Sequence, residues 1–159
     1  MKLGATIQRV ERQPVRVVYL RHTGPLGEPV GRFWRTIVAP RLADLGLLDC
    51  PRYGVSQDDA GTAPPDSHRY DACVELPRGL MPPDLPEAVI AGGRYAVMHF
   101  AGTAAEIGAA WDAFIRRAVA DTALHIDTGR RPFEHYPRGA AYDTRTCMFS
   151  GELCLPLAE

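Results

Sequence analysis

Residues 15–24 read VRVVYLRHTG, and residues 94–102 read RYAVMHFAG. Each is a run of β-branched, aromatic and apolar residues closing on a small or polar residue and a glycine, the pattern of a strand entering a turn. An apolar helical stripe follows both. In the first it is Val30, Trp34, Ile37, Val38 and Leu42; in the second it is Ile107, Trp111, Phe114, Ile115 and Val119. Both follow three- and four-residue steps. A single shift lays Val30 on Ile107, Trp34 on Trp111 and Val38 on Ile115. Thr103 and Glu106 have capping-box spacing for the second helix. Gly24-Pro25 and then Glu28 stand near the start of the first.

Turn-rich stretches and two further strand candidates follow each helix. They are residues 52–56 (RYGVS) and 69–76 (RYDACVEL) in the first half, and 132–136 (PFEHY) and 146–157 (TCMFSGELCLPL) in the second. Proline-rich residues 77–86 (PRGLMPPDLP) separate the halves. The expected fold class is α+β: one domain over residues 1–159, made of two strand–helix–strand–strand repeats. The repeats span about 5–77 and about 89–158, with a linker at about 78–88. One unit alone buries a single face of a short sheet. Two units therefore have to pack together, most simply as an antiparallel sheet with two helices about a pseudo-two-fold axis. A central cleft between them is then the natural place for a ligand.

Composition narrows the function classes. The chain has 159 residues, 46% hydrophobic and 23% charged, with a formal net charge of −1, so no overall positive field favours nucleic acid. Arginines at 32, 35 and 41, and at 116, 117, 130 and 131, read as solvated helix faces and loop edges. Cys50, Cys73, Cys147 and Cys154 form no CxxC pair. Three of them lie in apolar runs, as expected of small buried hydrophobes in a reducing cytoplasm. The first residues, MKLGATIQRVERQ, lack a signal-peptide apolar core. No run approaches the ~20 apolar residues of a membrane span. The five histidines show no zinc-ligand spacing, and no phosphate-binding glycine loop or GxSxG elbow is present, so neither metal nor cofactor is expected.

Glu134 is the residue most suggestive of chemistry. It sits in RRPFEHYP, where strand alternation puts Phe133 and His135 on one face and Glu134 and Tyr136 on the other. A carboxylate facing an apolar cleft would attract an organic cation, or act as an acid–base group with a raised pKa. The alternative is a Glu on the solvent side of a strand. Tyr53, Tyr70, Tyr95 and Tyr136 each lie in a strand candidate and offer a flat face and a hydroxyl. Trp34 and Trp111 occupy equivalent helix positions. Core packing is the ordinary role of such residues, and their pairing would also suit a shared cleft.

In order along the chain, RYGV at 52–55, HRYDACV at 68–74, GGRYAV at 92–97, FEHY at 133–136 and ELCLPL at 152–157 resemble the motifs of GyrI-like domains. These are the effector-binding domains of the gyrase inhibitory protein family, found also in AraC-type and MerR-type transcription regulators. The resemblance implies the duplicated fold and a central pocket for hydrophobic, cationic small molecules or xenobiotics, with Glu134 in the pocket and Tyr136 beside it. By symmetry we add Tyr53, Trp34 and Trp111, together with Phe133 and Tyr95, as expected ligand contacts. Some relatives of this fold hydrolyse electrophilic xenobiotics, which would make Glu134 and Tyr136 catalytic. A third possibility is a protein partner, such as an inhibited topoisomerase. The resemblance spans nearly the whole sequence without a DNA-binding region, so direct nucleic-acid and membrane binding are not expected. Monomer and homodimer both remain open.

Overall fold

The computed structural model describes residues 1–59, 62–81 and 83–158. Its strands are β1 (Lys2–Leu3), β2 (Gln8–Arg12), β3 (Val15–Thr23), β4 (Arg52–Ser56), β5 (Arg69–Glu75), β6 (Glu87–Ile90), β7 (Gly93–Gly102), β8 (Phe133–Tyr136) and β9 (Phe149–Pro156). They form one antiparallel sheet in the order β1-β7-β9-β8-β4-β5-β3-β6, with β2 also on β7. The expected α+β class and strand–helix–strand–strand element order are both present. The two halves join where β4 pairs with β8, so these strands lie at the centre.

Besides the two-residue β1, two further strands were not legible in the sequence. The first is β2 (QRVER), with a single apolar residue among charges. Such a strand suits a sheet edge, where charge discourages further pairing. The second is β6, which begins at the end of the expected linker; Pro82 of that linker lies outside the described residues. The pairing crosses between halves. β2 leads into β3 but pairs with β7, Gln8 opposite Val97. β6 leads into β7 but pairs with β3, Ile90 opposite Val15. The two turns meet at Gly92, where a Cβ would stand 2.8 Å from Pro14 and 2.9 Å from the Arg12 carbonyl. Arg130 is a clamp here, and not the loop-edge residue its charge suggested. Its guanidinium donates to the carbonyls of Gly92 at 3.0 Å and Leu157 at 2.7 Å.

Both helices cover one face of the sheet. The first has α-helical ends, α1 (Glu28–Phe33) and α2 (Ala39–Asp44), joined by a π-helical turn over Trp34–Val38. Pro40 accounts for the widening, because it has no N–H and its ring would crowd a carbonyl one turn back in a regular helix. The extra residue turns the stripe: Val38 and Leu42 are buried, but Ile37 is 51% exposed. The second helix, α3 (Ile107–Ala120), buries Ala110, Phe114 and Ala118. Ile115 and Val119, expected in its stripe, are 37% and 66% exposed. The buried line therefore runs through two alanines, whose small side chains bring the helix close to the sheet. The capping box is half formed: the Glu106 carboxylate accepts the Thr103 backbone N–H at 2.9 Å.

Separate cores lie under the two helices, one including Val18, Val38, Leu42 and Tyr70, the other Ala96, Met98, Phe114 and Leu153. A third occupies the opposite face, with Tyr53, Tyr95, Phe133 and Cys154. All four cysteines are free, and three are buried. Burial pushes the Cys154 thiol up to about 12. No helix among the described residues is long and apolar enough to cross a membrane.

Candidate functional site: a buried carboxylate between two tryptophans

Glu134 lies on β8 opposite Gly54 of β4 and Leu153 of β9. The alternation of β8 turns its side chain to the helix face, and it is only 8% exposed. Three neutral donors meet it. The Tyr70 and Tyr136 hydroxyls donate to Oε1 at 2.7 and 2.8 Å, and the Trp111 Nε1–H donates to Oε2 at 3.3 Å. Trp34 joins indirectly, its Nε1–H donating to the Tyr70 hydroxyl at 3.1 Å. The two tryptophans, one from each helix, thus converge on one carboxylate.

Burial raises the pKa of Glu134, and the bonds from Tyr70, Tyr136 and Trp111 pull against that rise. No cationic side chain is among these influences. Tyr70 and Tyr136 are held well above the usual phenol value by burial and by Glu134. Both therefore remain protonated donors at neutral pH. The result is an acidic group solvated by neutral dipoles in an aromatic enclosure.

Two glycines make the arrangement possible. A Cβ on Gly54 would overlap the Tyr70 hydroxyl and the Glu134 carboxylate, and one on Gly151 would lie 2.7 Å from the Tyr136 ring. Trp34 meets Tyr136 and Tyr70 edge-on at 6.0 and 6.5 Å, and Phe149 packs on Tyr136 at 5.8 Å. The space beside Glu134, bounded by Phe100, Ile107, Tyr136 and Phe149, is too small for a water molecule. A drug-sized ligand needs these rings to move.

The structure brings Glu134, Tyr136, Trp34 and Trp111 together. It places Tyr53, Phe133 and Tyr95 on the opposite face of the sheet. Tyr53 stands opposite His135, stacks on it at 5.0 Å and donates to Glu75 at 2.8 Å. Tyr95 packs on Phe133 at 5.1 Å and donates to the Ala91 carbonyl at 2.6 Å. The physical reason is the two-residue period: a neighbour of Glu134 along the strand, or one opposite such a neighbour, cannot share its face, and Tyr95, opposite Pro156 two positions from the Cys154 that pairs with Phe133, shares the face of Phe133. Sequence reasoning did not assign Tyr70 and Gly54 to the site. Their signal is register, since β4 pairs with both β5 and β8, setting Gly54 beside Glu134 and Ser56 beside Tyr70.

A wider hollow lies elsewhere, lined by Thr6, Gln8, Val97, His99 and Glu152. Its carboxylate is already engaged by His135 Nδ1 at 2.8 Å. No group of His, Cys, Asp and Glu suited to a metal ion occurs among the described residues. Tyr70→Phe should leave the Trp34 N–H without its acceptor and Glu134 with one donor fewer. We expect it to destabilise the fold by ~1–3 kcal/mol, read from chemical denaturation.

Residues 6–158 match the family model of the GyrI-like small molecule binding domain. The chain belongs to this family. No curated protein matches the sequence. The fold is similar to that of SAV2435 bound to tetraphenylphosphonium, with a TM-score of 0.65 and 16% identity over 96% of this chain and 94% of that one. It is also similar to the EcmrR C-terminal domain, with a TM-score of 0.65 and 9% identity over 100% and 99% of the two chains. A hydrolase from Listeria innocua shares the fold less closely, with a TM-score of 0.50 and 14% identity over 98% and 93%. At these identities the likeness is one of fold. GyrI-like membership carries the small-molecule-binding assignment.

Proposed function

We propose that this GyrI-like domain binds hydrophobic organic cations over Glu134, with Trp34, Trp111, Tyr70 and Tyr136 as the aromatic surround. One observation carries the reading: a buried carboxylate held by three neutral donors, with no cationic side chain bonded to it among the described residues. Burying a charge is costly unless it is paired. A delocalised cation would supply the counter-charge, and aromatic faces would add cation–π attraction. The similar protein SAV2435 is described with tetraphenylphosphonium bound, which makes that ion the natural first probe. The test is titration with tetraphenylphosphonium and with tetraphenylborate, which has nearly the same shape and the opposite charge. We expect saturable binding of the cation only. Equal binding of both ions, or of neither, overturns the reading.

A second reading, hydrolysis of electrophilic xenobiotics, is favoured by the raised pKa of Glu134 and by the Tyr136 hydroxyl beside it. Glu134 would take a proton from water and Tyr136 would donate to the leaving group. The same ring movement would have to admit the water. Incubation with strained alkylating compounds, followed by product analysis, decides this. Binding without turnover across such a panel rules it out.

A further inference from the structure

Arg52 occupies the row next to the site. It is the first residue of β4, opposite Tyr136 of β8, two positions from the Gly54–Glu134 pair and on the same face. At ~3.3 Å per strand residue, the two rows are about 7 Å apart. The Arg52 Nε is enclosed and, among the described residues, is the buried side-chain nitrogen or oxygen that has no hydrogen-bond partner. Buried donors in folded proteins are nearly always satisfied, so one left open calls for a specific cause. The charged and titratable neighbours that act on it are Tyr136 and Asp49. Burial lowers the pKa of the guanidinium, and these two neighbours only partly offset the fall. Tyr136 links the two groups: its hydroxyl is bonded to Glu134, and its strand position faces Arg52. A displacement of Tyr136 that opens Glu134 to a ligand also opens the row holding Arg52.

We infer that Arg52 forms an acceptor subsite of the Glu134 pocket, so that this protein favours hydrophobic cations carrying a carboxylate or similar oxygen acceptor on a tail that reaches the neighbouring row. This rests on the cation-binding reading of Glu134 and specifies its ligand class. The guanidinium offers a charge-assisted hydrogen bond to such an acceptor. Toward a ligand that is a cation only, the same group is a like charge close by. Arg52 thus discriminates between ligands that Glu134 alone would treat alike.

The test uses carboxybutyl-triphenylphosphonium and its methyl ester, whose tails reach comparable lengths, titrated into the wild-type chain and into Arg52→Met and Glu134→Gln. Methionine keeps much of the apolar stem and removes the donor. The wild type should bind the acid more tightly than the ester. Arg52→Met should weaken the acid about tenfold, the scale of one charge-assisted hydrogen bond, and leave the ester unchanged or tighter. Glu134→Gln should weaken both. Equal changes for acid and ester in Arg52→Met, or no change in either, overturn the Arg52 subsite while leaving the pocket intact. Binding of both ligands undiminished by Glu134→Gln overturns the pocket reading itself. If Arg52→Met fails to fold, Arg52→Lys keeps the charge without the Nε donor, and the same acid-over-ester ratio must fall in it.

Discussion

Glu134→Gln should weaken tetraphenylphosphonium binding by about 30-fold or more, while a neutral analogue such as triphenylphosphine oxide changes little. The scale is that of removing one partner from a buried charge pair, ~2–5 kcal/mol. Gln keeps the shape and one acceptor oxygen for the Tyr70 and Tyr136 hydroxyls. It removes the charge that a cation would meet. Equal losses for cationic and neutral ligands, measured by calorimetry, would show that the carboxylate acts by shape alone. Two pH effects accompany this. Glu134 has a raised pKa because it is buried, so cation affinity should fall as pH drops through that raised value. The stability of the free protein moves the other way. A carboxyl that holds its proton more tightly folded than unfolded stabilises the fold fully below its unfolded pKa. That contribution is lost as pH rises through the folded pKa. Wild type should therefore lose melting temperature relative to Glu134→Gln as pH rises across this window, and a constant difference would contradict it.

Gly54→Ala should be the most disruptive single methyl in the chain. The added carbon would overlap the Tyr70 hydroxyl and the Glu134 carboxylate at once. Forcing atoms into a packed core costs ~1–3 kcal/mol. Displacing a donor from a buried carboxylate adds a similar amount. At roughly 2–4 °C per kcal/mol for a chain of this size, the melting temperature should fall by roughly 4–24 °C. Ligand binding should fall as well, since Tyr70 and Glu134 cannot both keep their places. Gly108 provides the control, because a Cβ there meets nothing within 4 Å. Gly108→Ala lies in α3, where alanine is the better helix former, and should be neutral or stabilising. Similar melting temperatures for the two variants would mean that the close approach at Gly54 relaxes without cost.

The doubled strand–helix–strand–strand order was legible because it rests on local patterns. Residues 15–24 and 94–102 announce strands by composition, and Trp34 and Trp111 mark matching helix positions. The face that Glu134 shares with Tyr136, and not with Phe133 or His135, followed from the two-residue strand period alone. Where residues 28–44 departed from the expected stripe, the cause was Pro40, which widens the helix at Trp34–Val38 and turns Ile37 outward. β1, β2 and β6 escaped notice because each is stabilised by a partner in the other half, and nothing in KL, QRVER or EAVI reports a strand some seventy to a hundred residues away.

The amino-acid sequence by itself determined the α+β class, the strand–helix–strand–strand order of the main elements and the carboxylate singled out for the proposed site. The tertiary structure alone decided the company that carboxylate keeps. Strand register set Gly54 against Glu134, carried Tyr70 to it, and turned Tyr53, Phe133 and Tyr95 to the other face, while packing of the two helices on the sheet brought in both tryptophans. It also set Arg52 opposite Tyr136. Register is a relation between distant segments, determined by which hydrophobic faces must be buried together, and no single stretch of sequence contains it.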